Sequence, residues 1–215
     1  VRLIRGDCLQ IAPTLEGVDA VITDPPYGIQ AAKAKAHSSI RDCASVPEAD
    51  WDDERPPDSF LRMIPRIGSV QAVWGGNYFA DCLPPSSGWL VWRKPEAETG
   101  FSLADVELCW TSLDFAARTK SFPRRDGNQH PTQKPVALIS LCMDMARVPP
   151  GAMVLDPYMG SGTTLIAAIR TGRRAIGIEI DPTHYRTAVE RVKRELAQPT
   201  FAFDPKPQPK QEALL

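Results

Sequence analysis

Met153-Val154-Leu155-Asp156-Pro157-Tyr158-Met159-Gly160-Ser161-Gly162-Thr163-Thr164 begins as a short apolar strand and passes through two glycines into a helical run, Leu165 to Arg170. Gly160 and Gly162 let backbone come close to a ligand, and the helix N-terminus behind them favours a carboxylate. A second strand, Arg174-Ala175-Ile176-Gly177-Ile178, then delivers Glu179, with Ile180 just beyond. An acid 19 positions after Gly160 is placed to bind a pair of ribose hydroxyls. Strand, glycine loop, helix and strand form the repeating unit of wound parallel sheets, which sets the fold class as α/β.

Two ligand types suit such a unit. A dinucleotide is one, but position 165 is Leu where the G-x-G-x-x-G pattern has its third glycine, and Asp156 would face a pyrophosphate with like charge. A ligand with an amino acid at one end and a ribose in the middle matches the charges better, because Asp156 suits an α-ammonium group. S-adenosylmethionine has that form.

Nearer the start, the apolar run Val18-Asp19-Ala20-Val21-Ile22-Thr23 leads directly into Asp24-Pro25-Pro26-Tyr27. In open α/β sheets ligands bind at the carboxyl ends of strands. The four residues suit an exocyclic amine on a nucleobase, a poor nucleophile whose lone pair is delocalised into the ring. Acceptors aimed at its two N–H bonds favour the pyramidal geometry needed for attack. Asp24 supplies one acceptor, and the Pro25 carbonyl the other, since proline fixes φ. Tyr27 offers a flat face for an extruded base. The same four residues also read as an ordinary turn, because X-Pro disfavours helix and Pro opens turns.

Together the two motifs resemble the DNA amino-methyltransferases of the β arrangement, the N6-adenine and N4-cytosine family, in which D-P-P-Y precedes D-P-x-x-G-S-G-T. His130-Pro131-Thr132-Gln133-Lys134-Pro135 matches that family's P-T-Q-K-P element, and Gly6-Asp7-Cys8-Leu9 matches near the start. The resemblance spans residues 1–197 and implies a Rossmann-like, S-adenosylmethionine-dependent methyltransferase fold: a mostly parallel seven-stranded sheet with one antiparallel edge strand and helices on both faces. It implies that Asp24, Pro25, Pro26 and Tyr27 hold the target base. Asp156, Tyr158 and the loop Gly160, Ser161, Gly162 and Thr163 would hold the methionine moiety, with Thr132, Gln133 and Lys134 adding contacts to its carboxylate. Glu179 would bind the ribose, Asp7 and Cys8 would meet the adenine, and Ile180 would be a further cofactor contact. In this family Asp at the first motif position goes mostly with adenine and Ser mostly with cytosine, so Asp24 points to N6-adenine, with N4-cytosine as the alternative. A methyltransferase acting on RNA or on a protein amide is a closer rival than an NAD-dependent oxidoreductase, which leaves D-P-P-Y and P-T-Q-K-P unexplained.

Plainer roles stand beside these. Thr132 can cap the helix that Pro135 begins, whose buried stripe would be Leu138, Leu141, Cys142 and Met145. His130 reads as a loop residue, Cys8 as a small buried hydrophobe, and Asp7 as an N-cap.

At 215 residues with 43% apolar content, the chain suits one methyltransferase domain over 1–197 and a flexible, Pro- and Lys-rich tail over 198–215. No run approaches the ~18 apolar residues of a membrane span. Five cysteines without a C-x-x-C, and three histidines, make no credible metal set and fit a reduced, cytoplasmic setting. The resemblance narrows that setting to the nucleoid of a bacterial or phage-infected cell, with or without a partner nuclease. Net charge is −1, so contacts to double-stranded DNA must come from local patches. Arg118, Lys120, Arg124 and Arg125 form one, and Lys33 with Lys35 another; either can also be a solvated face.

The family's usual large target-recognition domain has no room here. Recognition would fall to loops at 93–104 and 112–130, and to a long aperiodic segment at 28–57 that reads as a mobile loop near the active site. A homodimer is a further implication of the resemblance, carried by no residue of the chain itself. The strands expected at Trp89–Trp92 and Asp105–Trp110 would form an antiparallel pair closing the sheet edge.

Overall fold

The computed structural model describes residues 1–29, 53–95, 104–123 and 133–198. Eight strands make one sheet: β1 (Arg2–Arg5), β2 (Ala20–Thr23), β3 (Val70–Trp74), β4 (Trp89–Arg93), β5 (Val106–Thr111), β6 (Arg118–Ser121), β7 (Met153–Asp156) and β8 (Arg174–Glu179), in the order β1-β8-β7-β2-β3-β5-β4-β6. β5 alone opposes the others, pairing antiparallel with both β3 and β4.

The order departs from the expected sheet in two ways. There are eight strands rather than seven, and the antiparallel strand lies inside the sheet rather than at its edge. The edge is β6, which pairs parallel to β4 from Leu90↔Arg118 to Arg93↔Ser121. Its four residues, Arg-Thr-Lys-Ser, are all exposed. A strand that buries no side chain leaves no hydrophobic alternation in the sequence, and only its backbone pairing reveals it.

Alternation along the inner strands divides the core between the two faces. Ile22, Trp74, Val154 and Ala175 face α3 (Val136–Met145), α4 (Thr163–Arg170) and α5 (Pro182–Leu196). Their neighbours Val21, Val73, Leu155 and Ile176 face the other side, with α1 (Cys8–Ile11) and α2 (Asp58–Leu61). Pro13 and Pro65 limit α1 and α2, each of which continues only as a 3₁₀ turn. α3 begins at Val136 with Pro135 as its cap residue and no side-chain cap, and it buries Val136, Leu138, Ile139, Cys142 and Met143. Leu141 and Met145, expected in that stripe, are only partly covered. At Gly177 in β8 an added Cβ would lie 2.4 Å from Met159 Sδ, so this strand needs glycine to let the glycine loop pack down.

β7 continues to β8 on one side, while β2 continues to β3 on the other. The crevice between β7 and β2 is thus a topological switch point, and ligands bind outside the strand ends at such points.

Candidate functional site

β2 and β7 pair in parallel at Val21↔Leu155, so both motif loops leave the same edge of the sheet side by side. The buried Thr23 hydroxyl donates to Asp156 Oδ1 at 2.8 Å, tying the end of one motif strand to the first residue of the other motif. Residues 133 positions apart in sequence are thereby held side by side.

On the β2 side, Asp24 carries a partner on each carboxylate oxygen. Tyr27 donates its hydroxyl to Oδ1 at 2.7 Å, and the Lys134 ammonium is paired with Oδ2. Lys134 also reaches Glu107 at 3.1 Å, and Glu107 in turn accepts from Lys94 at 2.6 Å. Burial opposes the Lys134 charge, but Asp24 and Glu107 outweigh it and raise its pKa above the ordinary lysine value. Burial would likewise raise the Glu107 pKa, yet Lys134 and Lys94 hold it down at about 2. The two lysines and two acids alternate in sign, and Asp24 stands at the more open end.

Tyr27 is less free than the sequence suggests. Its ring stacks on Tyr78 with centroids 4.9 Å apart and meets Phe79 edge-on at 6.1 Å. Gly75, at φ +70°, approaches so closely that an added Cβ would lie 2.1 Å from the ring. The face expected to receive a base is therefore in contact with Tyr78, whose residue remains 39% exposed. Burial and the neighbouring Asp24 push the Tyr27 phenol well above its ordinary pKa, which keeps it a hydrogen donor.

On the β7 side, Asp156 is buried among neutral donors: the Thr23 hydroxyl, the Tyr158 N–H at 3.1 Å, and the Thr164 hydroxyl. Burial raises its pKa from 3.8 to about 6, against the lowering effect of those bonds. Gly162 (φ +84°) caps α4, and a Cβ there would press on Ala188 at 3.2 Å. Glu179 accepts from the Gly160 N–H at 2.9 Å with one oxygen and from the Asp181 N–H at 2.8 Å with the other, which folds the loop over the end of β8. Ile180 beyond it is 68% exposed. Asp7 caps α1 by accepting from the Leu9 N–H at 2.8 Å. Cys8 is buried, its thiol pushed up to about 11 by burial despite a hydrogen bond with Tyr158.

The P-T-Q-K-P element divides between the two sides. Lys134, expected to add a contact to the cofactor carboxylate, pairs with Asp24 and Glu107. Gln133, with its amide oxygen turned to accept, meets Arg191 and the Thr163 hydroxyl at 3.2 Å. Arg191 also donates to the Ser161 carbonyl at 2.6 Å and its hydroxyl at 2.7 Å, fastening the loop to α5. Glu107, Lys94, Arg191 and Tyr78 escaped the sequence reading. A charged residue inside the apolar run of β5 was the available signal for Glu107, whereas Arg191 looked like one more basic residue on a surface helix.

Arg118 and Lys120 are exposed on β6. Lys33, Lys35, Arg124, Arg125, Thr132 and His130 lie outside the described residues, as do most of the 28–57 and 93–104 segments and all but Gln198 of the tail. Among the described residues, no helix is long and apolar enough to cross a membrane.

The sequence model of a family described as DNA methylase, of the N6/N4 methyltransferase type, matches residues 70–190, more than half of the chain. Over 211 residues the chain is 28% identical to YubD of Escherichia coli (strain K12), named as a methylase, with 89% of each sequence covered. It is 37% identical over 100 residues to the type II methyltransferase M2.DpnII of Streptococcus pneumoniae, spanning 46% of this chain and 34% of that one. Among solved structures it is similar to M1.HpyAVI in complex with SAM, at a TM-score of 0.59 and 21% identity, covering 92% of this chain and 99% of that one. It is also similar to PvuII DNA methyltransferase (cytosine-N4-specific), at a TM-score of 0.60 and 16% identity over 90% of each chain. At such identities the structural likeness speaks for the fold.

Proposed function

The chain belongs to the N6/N4 DNA methylase family, and from that premise we propose that it transfers a methyl group from S-adenosylmethionine to the N6 amine of an adenine flipped out of double-stranded DNA. The observation that supports this reading is the hydrogen bond from Thr23 to Asp156, which holds the starts of the D-P-P-Y loop and the glycine loop side by side. A single carbon can pass directly between two ligands only if their sites adjoin.

The residues present fit the cofactor. Asp156 is a buried carboxylate whose partners among the described residues are neutral, so an α-ammonium group would complete it. The N-terminus of α4 would take the carboxylate. Glu179 would take the ribose hydroxyls, with Asp7, Cys8 and the exposed Ile180 at the adenine. When bound, S-adenosylmethionine supplies an electrophilic methyl group on a sulfonium sulfur.

The chain's own work is orientation. Asp24 and the Pro25 carbonyl accept from the two N–H bonds of the target amine, directing its lone pair toward the cofactor side. Tyr27 holds Asp24 by its hydroxyl, and the Tyr27–Tyr78 stack supplies aromatic surface for the extruded base, which offsets part of the few kcal/mol that flipping costs. Asp24 favours adenine through the family pattern. Arg118 and Lys120 on the exposed edge strand would meet phosphates, together with the basic residues at 33, 35, 124 and 125.

The test is direct. Unmodified DNA incubated with methyl-labelled S-adenosylmethionine and the protein, then digested to nucleosides, should carry label in N6-methyldeoxyadenosine. Label in N4-methyldeoxycytidine would correct the base, and label confined to RNA or protein would overturn the assignment to DNA.

A further inference from the structure

We propose that Glu107, clamped by Lys94, is a positioning residue that takes over the Lys134 ammonium when Asp24 turns to the target amine. This rests on the function proposed above and deepens it, since it concerns how Asp24 becomes available.

Both oxygens of Asp24 are engaged, Oδ1 by the Tyr27 hydroxyl and Oδ2 by Lys134. An incoming amine needs one of those acceptor positions. Lys134 cannot simply swing into water, because its side chain is only 5% exposed. Left in place, its positive charge would oppose the positive charge that develops on the amine nitrogen during transfer. Left without an acid, it would be an uncompensated buried cation, which is costly.

Glu107 resolves both conditions. It is already 3.1 Å from the ammonium, so the cation can shift from shared pairing to pairing with Glu107 alone by a small movement. The rings of Trp74 and Tyr27, with centroids 5.2 and 5.7 Å from the ammonium, line its surroundings with π-faces that tolerate a cation. Glu107 itself is fixed from behind: Lys94 donates to its other oxygen at 2.6 Å, and that lysine side chain is 6% exposed and stands over the Trp92 ring. The alternating row Lys94, Glu107, Lys134, Asp24 thus keeps the cation neutralised whichever acid holds it.

The experiment measures single-turnover methyl transfer to DNA at saturating S-adenosylmethionine, alongside cofactor affinity and thermal stability. Among the described residues, Glu107→Gln leaves Asp24 as the carboxylate paired with Lys134. The charge-balanced pair Glu107→Gln with Lys94→Gln does the same without adding net buried charge. Both should transfer at least about tenfold more slowly than the natural protein, with the dissociation constant for S-adenosylmethionine changed by less than about twofold. Glu107→Asp keeps the carboxylate and should restore the rate to within about threefold.

A folded charge-balanced variant that transfers at the natural rate would overturn the proposal, and so would a loss appearing entirely as weaker cofactor binding. Failure of both glutamine variants to fold, with Glu107→Asp folded, would make Glu107 structural and overturn it too. If the natural protein itself places no methyl on DNA, the function fails first and this role falls with it. A methylating natural protein with an indifferent Glu107 sinks the positioning role alone.

Discussion

Asp24 and Asp156 stand at the ends of neighbouring parallel strands and answer opposite needs. Asp24 is met by a cation and a phenol, while Asp156 is buried with neutral donors among the described residues. An acid short of a positive partner suits a ligand that brings one, as an amino acid's ammonium does. An acid paired with a cation that a second carboxylate also reaches can turn to a ligand with no charge of its own, as a nucleobase amine is. Two carboxylates at the ends of adjacent strands thus have opposite surroundings.

The sharpest way to break this contrast is to remove each acid in turn. Asp24→Ala should lower single-turnover methyl transfer by about 10²–10³-fold, the usual loss for a preorganised polar contact to the reacting group, with cofactor affinity nearly unchanged in equilibrium binding. Near-normal turnover would take Asp24 out of the chemistry. Asp156→Asn should do the reverse, weakening S-adenosylmethionine binding by about 10- to 150-fold, as expected for a charged hydrogen bond of about 1.5–3 kcal/mol. Its transfer rate at saturating cofactor should remain close to natural.

Titration sharpens the same contrast. With its pKa at about 6, Asp156 loses its charge as pH falls through that value. Affinity for S-adenosylmethionine, measured by calorimetry, should then weaken by up to about tenfold per pH unit below it. Asp156→Asn should flatten the dependence; an unflattened profile would assign the titration to another group. Stability runs the other way in the ligand-free protein. Because the folded value lies above the ordinary 3.8, this group favours the folded chain at low pH, and that contribution disappears as pH rises through about 6.

Tyr27 separates hydrogen bonding from stacking. Tyr27→Phe removes the hydroxyl that donates to Asp24 and accepts from Lys134 at 3.2 Å, and should cost about 1.5–3 kcal/mol in transition-state binding, the range for hydrogen bonds to charged groups. Tyr27→Ala also removes the aromatic surface and should cost about 1–3 kcal/mol more. Equal losses in kcat/KM would leave the ring without a role. The smallest effect belongs to the edge strand: Arg118→Gln with Lys120→Gln should reduce the salt slope of DNA binding by about one unit per lost phosphate contact. An unchanged slope in filter binding would move the DNA path away from β6.

Much of the frame that carries the candidate site is legible in the sequence. Short apolar strands ending in Asp24, Asp156 and Glu179 are visible because the switch from buried strand to Gly- or Pro-rich loop is a local chemical signal. β6 was not, since Arg118–Ser121 pairs by backbone alone. The edge assigned to β5 failed for a related reason: alternation tells which residues face inward but not which strand lies next to which. Tyr27 belongs to the motif by its place in the chain, yet its neighbour Tyr78 comes from a glycine-started 3₁₀ turn that no periodicity marks.

By itself the sequence determined the chemistry available: which residue types sit at strand ends, the α/β class, and the family. It did so because those features are written in contiguous residues. Only the tertiary structure decided that Lys134 belongs to Asp24 and Glu107, that Asp156 has neutral company, and that Arg191 holds the glycine loop. The physical reason is that charge pairing depends on distances across strands and helices far apart in the chain, and a buried charge takes its meaning from whatever folding brings within a few ångströms.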